Sequence, residues 1–228
     1  MKLLSEEELI WSSIVANSNM NRERKASGTN SYQQEIKFKP EQFLENCILQ
    51  SGQVKWLDIC CGQGNALLQS ARFLENEKLQ DKATLVGVDL VNFFASIPSS
   101  IFCLQFDLSP LLKWKTTEQY DLITCIHGLH YVGDKLQILE KYLSFLSQNG
   151  QFIANLDLKS IHIKGQNTHT FLKAIFEENG IHYNPKTKII ECTGKKEIRF
   201  GLQYLGANDA AGPNYTGQEA VDSYYTIG

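Results

Sequence analysis

From Val54 onward, short apolar runs alternate with segments whose apolar residues recur every three or four positions. The runs predict buried strands, and the spaced segments predict helices with one apolar face. Regular alternation of strands and helices favours a mainly parallel sheet covered by helices on both faces. The predicted strands are 54–60, 83–90, 100–108, 120–129 and 151–158, and the predicted helices are 65–79, 134–147 and 171–178.

Two further strands are predicted near the end of the chain, at 187–194 and 197–206. A Gly-Lys-Lys turn of hairpin length joins them, so one edge of the sheet should be antiparallel. The predicted fold is therefore α/β, with a mainly parallel seven-stranded sheet and one antiparallel edge strand.

The first 49 residues have a different pattern. Ser5 and Glu8 form a capping box ahead of an apolar-periodic run, which predicts a helix from about Glu6 to Asn17. Residues 17–31 are polar and predict a loop or an irregular helix, and Pro40 begins a second helix. We expect residues 1–49 to form a helical cap and residues 50–228 to carry the main fold, as one domain overall.

Composition narrows the class of protein. The chain is 43% hydrophobic and 21% charged, which is ordinary for a globular protein, and its net charge of -3 gives no basic field for nucleic acid. No apolar run is long enough for a membrane span, and the N-terminus lacks a signal peptide, so a cytoplasmic protein is expected. Its six cysteines should then be reduced thiols, and their spacing fits no zinc site, so no metal is expected.

The first predicted strand leads into the segment LDICCGQGNALL, residues 57–68. A strand that ends at a glycine turn and feeds a helix makes a ligand crevice at the carboxyl edge of the sheet. Gly62 and Gly64 would let the backbone approach a ligand, and the helix N-terminus would offer N–H groups to an anion. Asp58 would repel a pyrophosphate, and the third glycine of dinucleotide folds is missing. A ligand that carries an amine is therefore favoured.

This segment resembles the first motif of class I S-adenosylmethionine (SAM)-dependent methyltransferases, with Cys60 in place of the first glycine. The resemblance implies a Rossmann-like three-layer sandwich, with SAM as cofactor and S-adenosylhomocysteine (SAH) as product. It also implies that the loop from Cys60 to Gly64 wraps the amino acid part of SAM, where Asp58 holds the ammonium group through water.

The ends of the next two strands extend the resemblance. Asp89 would accept the ribose hydroxyls and Leu90 would pack on the adenine. Asp107 would accept the adenine amino group, with Leu108 beside it. Alternatives remain open, because either aspartate could simply cap the turn that follows its strand.

The fourth strand ends in Ile126, which the resemblance places beside the cofactor, and is followed by His127 and His130. Imidazole titrates near neutrality, so either histidine is a candidate general base. The alternative is that they shape the turn and the pocket. This strand lacks both the Asn-Pro-Pro-Tyr and the Pro-Cys signatures of DNA methylation, so no DNA partner is expected.

Two flanking segments are candidates for ligand contacts. By the resemblance, the N-terminal cap would form a lid in which Tyr32 binds cofactor and Arg22 binds an acidic acceptor; a solvated connector is the alternative. After the last predicted strand, Asp209, Asn214 and Tyr215 are candidate acceptor-binding residues, with a disordered tail as the alternative.

The sequence thus predicts a SAM-dependent methyltransferase that acts on an oxygen or nitrogen of a small molecule, such as a secondary metabolite or a carboxylate, as a monomer or homodimer. Two alternatives stay open: an RNA methyltransferase, which the acidic charge disfavours, and a SAM-binding accessory protein without turnover. An NAD-dependent oxidoreductase is disfavoured by Asp58 and by the missing third glycine.

Overall fold

A computed structural model describes residues 2–15 and 23–228. These residues form two compact units: a first unit of residues 23–126, and a second unit of residues 2–15 and 127–228. The boundary predicted at residue 50 between cap and main fold stays a prediction.

The first unit is built on four strands: β1 (Val54–Ile59), β2 (Ala83–Asp89), β3 (Leu104–Leu108) and β4 (Tyr120–Cys125). All neighbouring pairs are parallel, in the order β3-β2-β1-β4. The central strands are covered on both faces, so β1 is apolar along nearly its whole length, and Trp56, Leu57 and Ile59 are fully buried. Its helices are α2 (Tyr32–Ile36), α3 (Pro40–Ser51) and α4 (Asn65–Asn76).

Helix α4 follows β1 directly and shows the predicted spacing. Leu67, Ala71 and Leu74 recur every three or four residues and are fully buried. Gly64 caps the start of this helix in the left-handed conformation, at φ 73°. A side chain is excluded there, because a Cβ on Gly64 would lie 2.1 Å from the ring of Phe106.

The second unit holds α1 (Glu6–Leu9), α5 (Lys135–Leu143), α6 (Thr168–Glu178) and six strands. Strands β5 (Leu146–Asn155), β8 (Ile189–Thr193) and β7 (Ile181–Asn184) pair antiparallel in that order. A separate three-stranded sheet has the order β6 (Ile161–Ile163), β10 (Asp222–Ile227) and β9 (Leu202–Asn208).

The predicted hairpin between 187–194 and 197–206 is wrong. The first of these segments contains β8, whose hairpin partner is β7, and the second overlaps the first part of β9, which pairs with β10. The reason is side-chain burial: β10 carries buried Ser223 and Tyr225 on alternate positions and supplies the partner that β9 needs.

The predicted fold class is confirmed: the fold is mixed α/β, with a seven-stranded, mainly parallel sheet that includes antiparallel pairing toward one edge. The capping box of α1 is also present, but this helix ends at Leu9 and not near Asn17. Beyond Leu9 the helical bonds are replaced, because the N–H groups of Trp11 and Ser12 donate to the carbonyls three residues back, those of Glu8 and Leu9. None of the described helices has the length and apolar character needed to cross a bilayer.

Candidate functional site

The carboxyl ends of the four strands of the first unit meet at one edge of the sheet. Parallel pairing aligns Asp58 of β1 with Gly87 of β2 and with Thr124 of β4, and aligns Val88 of β2 with Asp107 of β3. The three predicted acids, Asp58, Asp89 and Asp107, therefore lie at the ends of three adjoining strands, which is where open α/β sheets bind ligands.

Asp58 is fully buried, and both of its carboxylate oxygens accept hydrogen bonds. The Thr124 hydroxyl donates to Oδ1 at 2.5 Å, and the Tyr32 hydroxyl donates to Oδ2 at 2.7 Å. Thr124 is held in turn by the indole N–H of Trp56 at 2.8 Å. Tyr32, predicted to bind cofactor, is thus buried against the first acid of the motif.

Burial raises the pKa of Asp58 to about 7, because a carboxylate loses its hydration there. The hydrogen bonds from Thr124 and Tyr32 lower the pKa, and the charge of Asp89 raises it further. A ligand ammonium beside Asp58 would lower this pKa again, because a positive charge favours the ionised acid.

The loop that follows β1 is anchored to β2 through its backbone. Cys61 N–H donates to the carbonyl of Val88 at 3.2 Å, and Gly62 N–H donates to Asp89 Oδ2 at 2.8 Å. The loop turns back on itself through Gly64 N–H and the Cys61 carbonyl at 3.0 Å, immediately before α4. These bonds fix the loop, and with it the first turn of the helix, at the edge where the acids lie.

Asp89 is buried and holds the turn after its strand. Its Oδ1 accepts the N–H of Val91 at 3.1 Å, while Oδ2 accepts Gly62 N–H. The predicted alternative, in which this acid caps the turn, is therefore present in the structure. Leu90, the next residue, is half-buried.

Asp107 at the end of β3 is half-buried and accepts the indole N–H of Trp114 on Oδ2 at 2.8 Å. Leu108, predicted to lie beside the cofactor, is 57% exposed. Ile126, predicted to line the cofactor from β4, is buried.

Cys60 replaces the first glycine of the motif and adopts the left-handed conformation that a glycine would favour, at φ 54°. A hydrogen bond with the Cys125 thiol, together with burial, raises the pKa of Cys60 well above its ordinary value. The Cys60 side chain is therefore a neutral thiol near pH 7, compatible with its predicted place against the cofactor.

The second unit brings three other predicted residues together. The rings of His127 and His130 lie 5.5 Å apart between centroids, and Tyr215 lies 6.3 Å from His127 and 5.3 Å from His130. Both histidines are buried, whereas Tyr215 is 44% exposed. The two candidate bases and one candidate acceptor-binding residue thus form one cluster, which we call the histidine cluster.

His127 has an uncommon backbone for a residue with a side chain, at φ 61°. Its N–H donates to Oδ1 of the buried Asn155 at the end of β5, at 3.1 Å. Residues held in the left-handed region are concentrated at functional sites.

The remaining candidates lie apart from these contacts. Asp209 follows β9 and accepts the Ser12 hydroxyl at 2.6 Å. Asn214 caps its own loop by accepting the N–H and the hydroxyl of Thr216 at 2.8 and 2.6 Å. Arg22, predicted to bind an acidic acceptor, lies outside the described residues. No group of three or more metal-ligating side chains occurs within residues 2–15 and 23–228.

Three residues in these contacts escaped the sequence analysis: Thr124, Trp114 and Asn155. Thr124 had a usable signal, because a hydroxyl in an otherwise apolar strand needs a buried partner. Trp114 reaches Asp107 across seven positions through the turn after β3, and Asn155 reaches His127 across 28 positions, and neither contact follows from apolar spacing.

A family model described as a methyltransferase domain matches residues 20–188, well over half of the 228-residue chain. No curated protein is significantly similar to this sequence.

Several solved structures resemble the fold. The magnesium protoporphyrin IX methyltransferase of Synechocystis PCC 6803, crystallised with SAM, is 15% identical with a TM-score of 0.49, over 85% of this chain and 99% of that one. The N-methyltransferase NodS of Bradyrhizobium japonicum WM9, in complex with SAH, is 16% identical with a TM-score of 0.45, over 84% and 98%.

The plantazolicin methyltransferase BpumL, in complex with a substrate analogue and SAH, is 22% identical with a TM-score of 0.41 over 53% of this chain. This chain spans 46% of the length of BpumL, about half of it. With the family model matched over most of its length, the chain belongs to the methyltransferase domain family, and the family predicted from its first motif is confirmed.

Proposed function

We propose that the chain transfers a methyl group from SAM to an oxygen or nitrogen of a small molecule. The observation that carries this proposal is the row of three acids, Asp58, Asp89 and Asp107, at the carboxyl ends of adjoining parallel strands beside a glycine loop. Their chemistry fits SAM: a buried acid for an ammonium, an acid for ribose hydroxyls, and a half-buried acid for an amino group.

When bound, SAM would supply a methyl group on a sulfonium that needs no further activation. The residues of the chain then have to hold the cofactor, orient the acceptor and exclude water. In this proposal Leu90 and Ile126 contribute apolar surface to the cofactor side. Leu108 is exposed in the structure and is available to pack on a ligand.

The histidine cluster is proposed to take the acceptor's proton. A hydroxyl or phenol must lose a proton during transfer, and a buried imidazole is suited to accept it, whereas an ionised carboxylate acceptor would need no base. Tyr215, half-exposed beside both rings, is proposed to contact the acceptor. Asp209 and Asn214, bonded to Ser12 and Thr216, are weaker candidates for that contact.

The cofactor half of the proposal is tested by calorimetric titration with SAH. We expect binding that Asp89→Asn weakens at least about tenfold, or about 1.4 kcal/mol. Asp81→Asn is the matched control, since Asp81 is an exposed acid of the same unit and should leave the affinity unchanged. A folded wild-type protein that does not bind SAH would overturn the assignment.

The transfer half is tested by measuring SAH release with panels of phenols, amines and carboxylates. For a hydroxyl acceptor, His127→Ala or His130→Ala should lower turnover. If both variants keep normal turnover across pH, the base assignment is wrong. If SAH binds but no acceptor in any panel is methylated, the result favours the alternative of a SAM-binding accessory protein without turnover.

A further inference from the structure

The side chain of Trp114 forms a hydrogen bond with the carboxylate of Asp107. Its indole Nε1 donates to Asp107 Oδ2 at 2.8 Å, and the ring is 8% exposed, so the donor is fixed inside the fold. Asp107 itself is half-buried at the end of β3.

The backbone around Trp114 is fixed as well. Trp114 N–H and Lys113 N–H both donate to the carbonyl of Pro110 at 3.0 Å, which forms a tight turn. Just before this turn, Ser109 N–H donates to the carbonyl of Asp89 at 3.0 Å and so ties β3 to the end of β2. The indole is therefore held in place by the strands that carry the two acids.

The chemistry of this contact is directional. An indole N–H can only donate, and a carboxylate oxygen can only accept, so the Asp107 oxygen that faces Trp114 is defined. The other oxygen is left as an acceptor for a ligand. An acceptor at this position pairs with the 6-amino group of adenine and opposes the 6-oxo group of hypoxanthine.

We propose that Trp114 is a positioning residue that fixes the orientation of Asp107 and so makes the site selective for a cofactor with a 6-amino purine. This inference rests on the proposed binding of SAM, and it adds a residue and a selectivity to it. Trp114 itself is not proposed to touch the cofactor.

The substitution Asp107→Asn gives the inference a distinctive consequence. With Trp114 present, its N–H holds the amide oxygen, so the amide NH2 is turned toward the purine as a donor. A donor there favours a 6-oxo purine. Without the indole N–H the amide can rotate, and either group can face the ligand.

The experiment compares SAH with its hypoxanthine analogue, S-inosylhomocysteine, by calorimetric titration of four proteins: the wild type, Asp107→Asn, Trp114→Phe with Asp107→Asn, and Trp11→Phe with Asp107→Asn. Trp11 is 84% exposed and supplies a matched loss of one indole. Circular dichroism checks that each protein is folded.

We expect the wild type to bind SAH at least about tenfold more tightly than S-inosylhomocysteine, because one hydrogen bond to a charged group changes the affinity by about this factor. Asp107→Asn should shift the ratio toward S-inosylhomocysteine by at least about tenfold, and the Trp11 background should retain that shift. The Trp114→Phe background should lose most of it.

An equal shift in the Trp114→Phe and Trp11→Phe backgrounds would overturn the positioning role. If Trp114→Phe does not fold, Asp107→Asn alone still decides, because an unchanged ratio in that variant refutes the orientation that Trp114 is said to impose. If the wild type binds neither ligand, the proposed function fails and the selectivity fails with it. Binding of SAH without the Asp107→Asn shift overturns only the selectivity.

Discussion

Binding of SAH should remove a proton from Asp58. In the unliganded protein, burial raises the pKa of this acid to about 7, so it is largely protonated at pH 6. In the proposed complex the ammonium group of SAH lies near Asp58 and favours the ionised carboxylate. The affinity should therefore rise with pH until Asp58 is ionised in the free protein, and then level off.

The size of the effect follows from the linkage between binding and ionisation. With a pKa of about 7, about nine-tenths of the free protein carries the proton at pH 6, and about one-tenth carries it at pH 8. If Asp58 carries no proton in the complex, the dissociation constant at pH 6 is about tenfold larger than at pH 8, so binding is weaker at pH 6. About 0.9 protons should be released per SAH at pH 6.

Calorimetry in two buffers with different ionisation enthalpies measures the released protons directly. Asp58→Asn keeps the shape of the side chain and has no proton to lose, so its affinity should be weaker and independent of pH between 6 and 8. Tyr32→Phe removes a hydrogen bond that lowers the pKa of Asp58, so its midpoint should move to higher pH. Proton release that persists in Asp58→Asn would refute the reasoning.

The same pKa affects the stability of the unliganded protein. Because the folded-state pKa of Asp58 lies above the ordinary value of 3.8, its contribution to stability is fully present below about pH 4 and is lost as pH rises through about 7. A tenfold change in the acid dissociation constant corresponds to about 1.4 kcal/mol, so the loss approaches about 4 kcal/mol. The melting temperature of the wild type, unlike that of Asp58→Asn, should fall between pH 6 and pH 8.

Two further substitutions test buried contacts, one at the start of α4 and one at the start of α5. Gly64→Ala places a Cβ 2.1 Å from Phe106 at φ 73° and should cost more than about 2 kcal/mol of unfolding free energy, whereas Gly52→Ala, at φ 83° with no atom within 4 Å, should cost only about 1 kcal/mol. Equal urea midpoints for the two variants would contradict this. Lys135→Met removes a fully buried ammonium that donates to two carbonyl oxygens and to the Ser223 hydroxyl at 2.7–2.9 Å, and should cost about 3 kcal/mol. A midpoint within error of the wild type would show that these acceptors find other donors.

Local pattern was sufficient for the first unit because each of its elements is defined within one segment. The run 54–60 is apolar except at Lys55 and Asp58 and contains β1, and the spacing of Leu67, Ala71 and Leu74 predicted α4. The prediction of where the chain turns was less exact. Helix α5 ends at Leu143 and β5 already begins at Leu146, where apolar spacing alone extended the helix to 147.

The second unit was harder because its strands are short and partly polar. Strand β7 has the sequence Ile-His-Tyr-Asn, and only Ile181 is buried, so no apolar run marks it. Strand β10 alternates buried Ser223 and Tyr225 with half-buried neighbours, and a serine in the buried register hides the period. Pairing between β9 and β10 spans a long loop, which hairpin rules cannot detect.

The candidate site shows the same division between what is local and what is not. The acids Asp58, Asp89 and Asp107 were identified because each lies at or next to the carboxyl end of its own strand, and parallel pairing brings them to one edge. The chemistry of Asp58, however, is set by residues from other segments. Asp58 is bonded to Tyr32 across 26 positions and to Thr124 across 66. A motif therefore predicts where a carboxylate lies, whereas its pKa and orientation depend on partners that only the folded chain supplies.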